Sequence, residues 1–443
     1  MVRSTWCVAV GILTLVAFEQ CVLGQIEELS WPPQLPGGQS IVSVESAELL
    51  KPQPGLRGDV GIAVTAPKVD LLYYPEQNYE GHPWSVWGDG LAVGTKYFSA
   101  IGDHLAPQGN AFVFEYDLKT SRIRTLASTA TTINLPDGHY MPGKIHSRID
   151  LGSDGWLYYS THRGSTRVTT DEYHYKGDWL LRTHPESGRT EVVAHGPVPK
   201  ACIPTSVLDP DRMIFYGGTS AGDPKDKTVT FFAYDIARRK VLHTATGGPA
   251  RYLILARSTG RVYYMNEVTD KLMRYDPASG NPPQAIAGSI GLRAATQETP
   301  DGMVYTLGKS DGHLWRFNTQ TEAITDLGEL AVASLTYTAS IDADPTGRFV
   351  YYIPGAQNDG SPIVQFDTKH RTKKVIAFLQ PLLREQSGYV TLGTFGSAVS
   401  PDGSRLFITW NGNRSGADKR GKYPFDTCAL TVIHIPESER QLD

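Results

Sequence analysis

Residues 154–162 read DGWLYYSTH, a turn dipeptide followed by an apolar run rich in aromatic residues, and variants of it recur along the chain. DRMIFYGG (211–218), TGRVYYMNE (259–267), DGMVYTLG (301–308), TGRFVYYIPG (346–355) and DGSRLFITWNG (402–412) keep the same order, with a weaker copy in GTKYFSAIG (94–102). Runs of this composition are strands, because branched and aromatic side chains fill a pleated, half-buried surface, while Asp-Gly, Thr-Gly and Ser-Gly supply tight turns. Each copy is followed by a second unit of strand, turn and strand, as in DWLLRTHPESGRTEVVA and FFAYDIARRKVLHTA; the last, CALTVIHIPES, is degenerate.

A strand, a turn, a strand, a loop and a hairpin make four antiparallel strands per unit, spaced by roughly 40 to 57 residues, the period of propeller blades. Units so short cannot each close a core, which argues against a string of independent β domains. Counting from residue 85 predicts an all-β chain, a seven-bladed β-propeller over 85–443. Residues 25–84, rich in Pro and Gly, are predicted to be an arm plus a strand that helps close the ring.

Composition fits that reading. With 443 residues, 40% of them hydrophobic and 20% charged, the chain can bury a large core. A net charge of -4 gives no overall positive field to hold nucleic acid, so any anionic partner must meet a local cluster. Residues 1–24 read as a secretory signal peptide, with Arg3, the apolar stretch Val8 to Phe18 and the small-residue context Val22-Leu23-Gly24 in order. No later segment resembles a membrane span, and the expectation is an exported monomer, secreted or periplasmic. Cys7 and Cys21 leave with the leader, so Cys202 and Cys428 are the thiols of the mature chain. Two distant cysteines make no disulfide scaffold and form no C-x-x-C pair for zinc, and they read as small buried hydrophobes.

In a propeller the innermost strands line a central channel, so residues at equivalent inner positions converge although far apart in sequence. Aligning the units on the LYY of 157–159 sets His146 level with Arg251 and Arg293, and with Ile203 or Cys202 in the unit between. The stretch 139–175 also carries His139, Lys144, Arg148, His162, Arg163, Arg167 and the triplet Tyr173-His174-Tyr175. His146 near the start of one strand and His162 at the end of the next should face each other across a hairpin. Two histidines could also be metal ligands, but no third ligand sits at a recognisable spacing.

These groups suit β-elimination from an acidic sugar. Neutralising the C6 carboxylate of a uronate acidifies the C5 proton; a base removes it and an acid protonates the departing O4. His146, His162 and Tyr216 are the candidate catalytic residues, and Arg251, Arg293, Arg163 and Tyr264 the candidate substrate-binding residues. That chemistry requires no cofactor.

With KIHSRIDLGSDGWLYYSTHRG as its second unit, the chain resembles the propeller-type polysaccharide lyases, in particular the ulvan lyases, which use paired histidines with tyrosine and arginine in a central cleft. The resemblance implies a lyase acting on a sulfated, glucuronate-containing polysaccharide. A carbohydrate- or protein-binding propeller without catalysis is the alternative. A quinoprotein would need a periodic tryptophan motif that the eight tryptophans do not form. A lactone hydrolase or streptogramin-lyase type would need metal ligands on several inner strands.

Overall fold

Each recurrent segment is the second strand of an antiparallel sheet. Leu157–His162 pairs with Trp179–Thr183, Ile214–Ala221 with Val229–Asp235, and Phe349–Pro354 with Pro362–Asp367. The computed structural model describes residues 30–78, 84–104, 109–308, 312–334, 337–354, 360–414 and 425–442; the leader expected at 1–24 lies outside the described residues. Seven sheets follow one another in chain order, each with four strands in series and some with an added edge strand, so the chain is a seven-bladed β-propeller. No described helix is long and apolar enough to cross a membrane.

The ring closes through the segment ahead of the first blade. In the last blade, Val390–Val399, Arg405–Asn413 and Thr427–His434 run outward from the axis, and the outer position is taken by Lys68–Tyr73, with Val42–Glu45 beyond it. This explains why CALTVIHIPES is not followed by a hairpin partner: the strand that would complete it comes from the other end of the propeller. A second segment, Val60–Ile62, adds in parallel to Thr372–Phe378 at the edge of the sixth blade.

The cores lie between blades. Tyr97 of the first blade and Phe407 of the last stack at 4.9 Å with an 8° interplanar angle, both almost fully buried. Burying each such ring stabilises by about 1.5–3 kcal/mol. Tyr216 and Tyr264 pack in the same way between the third and fourth blades, with Phe231 stacked 4.7 Å from Tyr264. The alternation of side chains along a strand therefore sends these two tyrosines into an inter-blade core.

Candidate functional site

The two mouths of the channel differ chemically. Inner strands such as Ala201–Asp209 and Ile254–Ala256 end in the turns that line a cavity of about 1210 Å³, with Asp211, Arg257 and Glu298 on its wall. Acidic side chains predominate there: Arg257 Nε lies 2.8 Å from Asp211, Glu298 accepts from the Ser258 backbone N–H at 2.8 Å, and Asp301, Asp342 and Asp344 share the wall. The opposite mouth, where the inner strands begin, holds His146, Arg251 and Arg293.

Backbone register sets the histidine pair. His162 pairs with Lys144 and Thr161 with Ile145. Ser147 then reaches back across the hairpin, its hydroxyl accepting from the Ser160 N–H at 2.9 Å. A close backbone approach seats Lys144: a Cβ on Gly143 would lie 2.6 Å from the Asp103 carbonyl oxygen and 2.8 Å from Gly164 Cα, so only glycine fits. The His146 and His162 rings stand edge to face at 5.1 Å.

Hydrogen bonds fix the state of His146. Its Nδ1 is 2.7 Å from the Pro204 carbonyl oxygen, an acceptor, so Nδ1 carries the proton. Its Nε2 is 2.9 Å from Arg251 Nη1, a donor, so Nε2 presents its lone pair and the ring is neutral. Burial, with Arg251 and Lys144 nearby, holds its pKa well below the ordinary histidine value. Burial and the adjacent His146 do the same for His162.

Around this ring the cations are held by aromatic faces. Lys144 Nζ sits 4.8 Å from the Trp87 ring centroid, and Trp87 stacks on Phe395 at 4.9 Å. The Arg293 guanidinium lies 5.1 Å from the Phe395 ring and donates to the Tyr337 hydroxyl oxygen at 2.7 and 3.1 Å. Lys144 is 7% and Arg293 4% exposed, and neither they nor the half-buried Arg251 form an ion pair among the described residues. Burial, with Arg163 and Arg251 adding repulsion, pulls the Lys144 ammonium down to about 7. Arg148 differs, being matched by Asp150 at 2.9 Å. Three basic side chains without carboxylate partners thus lie partly or wholly out of water at this mouth, an arrangement that an incoming anion would relieve.

Of the residues singled out in the sequence, the fold brings together His146, His162, Arg251 and Arg293. It does not bring in Tyr216 or Tyr264, which are 0% exposed in the inter-blade core, and a strand-end position was the wrong guide to them. Arg163 turns from the mouth to Cys202 Sγ at 2.9 Å and the Ala221 carbonyl at 3.0 Å. His139 and His174 stack on each other at 4.3 Å. The site residues missed were Trp87, Phe395, Tyr252 and Tyr337. Of these, Arg251-Tyr252 was half legible, since Tyr252 follows an aligned arginine, and its hydroxyl donates to Asp89 deeper in the channel.

No protein-family model and no curated protein sequence matches the chain. Solved structures match its fold. An oligogalacturonate lyase from Vibrio parahaemolyticus superposes with a TM-score of 0.51 at 13% identity, over 90% of this chain and 100% of that one. An oligogalacturonate lyase in complex with manganese gives 0.51 at 13% identity, over 88% and 99%. The WD40 repeats of RRP9 give 0.50 at 12% identity, over 87% and 100%. Enzymes and repeat scaffolds thus share the architecture, and the likeness is one of fold. Fold and site together define a seven-bladed propeller whose mouth gathers basic side chains around a neutral histidine.

Proposed function

We propose that the protein is a polysaccharide lyase that cleaves a uronate-containing polymer by β-elimination, with a sulfated, ulvan-like polysaccharide as the substrate class. The observation that carries this reading is the set of basic side chains without ion-pair partners, Lys144 and Arg293 buried and Arg251 half-buried, around a histidine whose Nε2 lone pair points at Arg251. A uronate carboxylate entering the mouth competes for Arg251 and, with Arg293 and Lys144, has its charge neutralised, which acidifies the C5 proton. As Arg251 turns to the carboxylate, His146 Nε2 is released to take that proton.

The C5–H electrons then form the C4=C5 double bond, the C4–O4 electrons leave with O4, and an acid must protonate O4. Tyr337 suits this role, because its oxygen accepts from Arg293 while its own O–H remains free to donate, and it is 42% exposed at the mouth. Solvent exchange returns both groups to their starting protonation. A substrate on the exported side of the cell envelope accords with the leader read at 1–24. No step calls for a metal or an organic cofactor.

Incubation with a panel of uronate polysaccharides, sulfated and unsulfated, while following the ultraviolet absorbance of an unsaturated uronate, tests the proposal. Product from at least one polymer is expected. Binding to these polymers without any product would instead mark a carbohydrate-binding propeller.

A further inference from the structure

Beside the catalytic mouth, a separate set of reactive side chains converges where the second blade meets the third. His162 ends the strand Leu157–His162, Asp178 stands directly before Trp179–Thr183, and Cys202 lies on the inner strand Ala201–Asp209. A ligand-type atom from each lies within 4.8 Å of those of the other two. His162 is 7% exposed and the other two 0%.

Polar groups this deeply buried are normally satisfied by hydrogen bonds, and here some are left without one. Asp178 Oδ1 accepts from the hydroxyls of Tyr140 at 2.8 Å and Thr161 at 2.9 Å. Its Oδ2 accepts from no N–H or hydroxyl and has the Cys202 S–H as its neighbouring donor, and Nδ1 of His162 has no partner at all. Cys202 Sγ faces two donors, Arg163 Nη1 at 2.9 Å and the Tyr175 hydroxyl at 3.1 Å, while burial and the Asp178 carboxylate push the thiol up to about 12, so it rests protonated and releases its proton when a metal binds. An imidazole, a carboxylate and a sulfur thus share one dry site with unused ligand atoms.

We propose that His162, Asp178 and Cys202 bind a zinc ion that ties the second blade to the third. A thiolate with an imidazole and a carboxylate is a zinc donor set, whereas calcium and magnesium require oxygen alone. Zinc–ligand bonds of about 2.0–2.3 Å draw the three groups inward by small side-chain rotations. Tyr140 and Thr161 orient the carboxylate, and Arg163 and Tyr175 orient the sulfur, the outer support that metal ligands ordinarily have. Two anionic ligands cancel the charge of the ion, which makes it compatible with Lys144 and Arg163 close by. Once bound, the ion fixes the His162 imidazole and thereby the edge-to-face packing of His146, so His162 is a positioning residue.

The assignment stands independently of the lyase reading, and its test does not use activity. Full-length protein produced with added zinc and purified without chelator should contain about one zinc per folded chain by elemental analysis. Exchange with cobalt(II) should give the near-ultraviolet thiolate-to-cobalt band and the visible bands of a four-coordinate ion. Cys202→Ser should lose the charge-transfer band, while Cys428→Ser, a buried thiol elsewhere in the fold, should keep it. Folded wild-type protein that holds neither zinc nor cobalt overturns the proposal, as does a folded Cys202→Ser protein with an undiminished thiolate band. If Cys202→Ser does not fold, the wild-type zinc content and cobalt spectrum alone decide.

Discussion

Arg251 Nη1 lies 2.9 Å from Nε2 of His146, joining the second and fourth blades across 105 residues of sequence. A guanidinium donates to the lone pair of a neutral imidazole, so the base is occupied until an anion claims the arginine. On the proposed lyase reading, substrate carboxylate and base would be coupled through this one side chain.

His146→Ala should lower turnover on a cleavable uronate polymer by a factor of about 10² to 10⁴, the range for loss of a general base. The circular dichroism spectrum should stay unchanged, because the backbone register around residue 146 is fixed by Ser147 and Ser160. Full activity in the variant would remove His146 from the reaction.

Tyr337→Phe keeps the ring near Arg293 and deletes only the hydroxyl. If Tyr337 protonates O4, kcat should fall by a factor of about 10² to 10⁴ while KM changes little. A rise in KM at constant kcat would make it a binding group.

Tyr216→Phe should leave turnover unaltered. The Tyr216 hydroxyl is buried without a hydrogen-bond partner, so its removal should also leave the thermal midpoint equal or raise it. A loss of activity would return Tyr216 to the site.

Much of the propeller was legible because the second strand of every blade is buried on both faces and has to be apolar, as in LYY at 157–159 and VYY at 262–264. His146, Arg251 and Arg293 were legible for a related reason: each stands just ahead of an inner strand, so repeat alignment is also spatial alignment. Tyr216 and Tyr264 were misjudged because alternation along a strand, and not distance from its end, decides whether a side chain meets the channel or the next blade. Tyr337 and Phe395 lie on segments that share no motif with 139–175, Tyr337 just ahead of the inner strand Thr338–Ala343 and Phe395 within Val390–Val399, and the repeat alignment was anchored on other residues. Asp178 escaped notice as a companion of His162 and Cys202 because the three lie on different strands with no metal-type spacing.

A pH effect on stability follows from the channel beneath the mouth. Burial, with Asp342 close by, pushes the Asp89 carboxyl up to about 7. The folded state therefore keeps a proton there that the unfolded chain, with an aspartate pKa of about 3.9, has already released. Between about pH 4 and 7 the folded state binds more protons, so this group removes stability as pH rises, and the loss is complete above its folded pKa. Asp89→Asn should show urea midpoints that gain on the wild type from about pH 4 to about pH 8. A difference that is constant across that range would mean Asp89 ionises normally.

The central claim is elimination, and proton NMR of a digest reads it most directly. A uronate polymer treated with the wild-type protein should yield oligosaccharides carrying a vinylic C4 proton at the new non-reducing end, and the His146→Ala protein should yield almost none. Shortened chains without that resonance would mean hydrolysis, and an unchanged polymer that is nonetheless bound would mean a propeller that only holds its ligand; either result contradicts the lyase assignment.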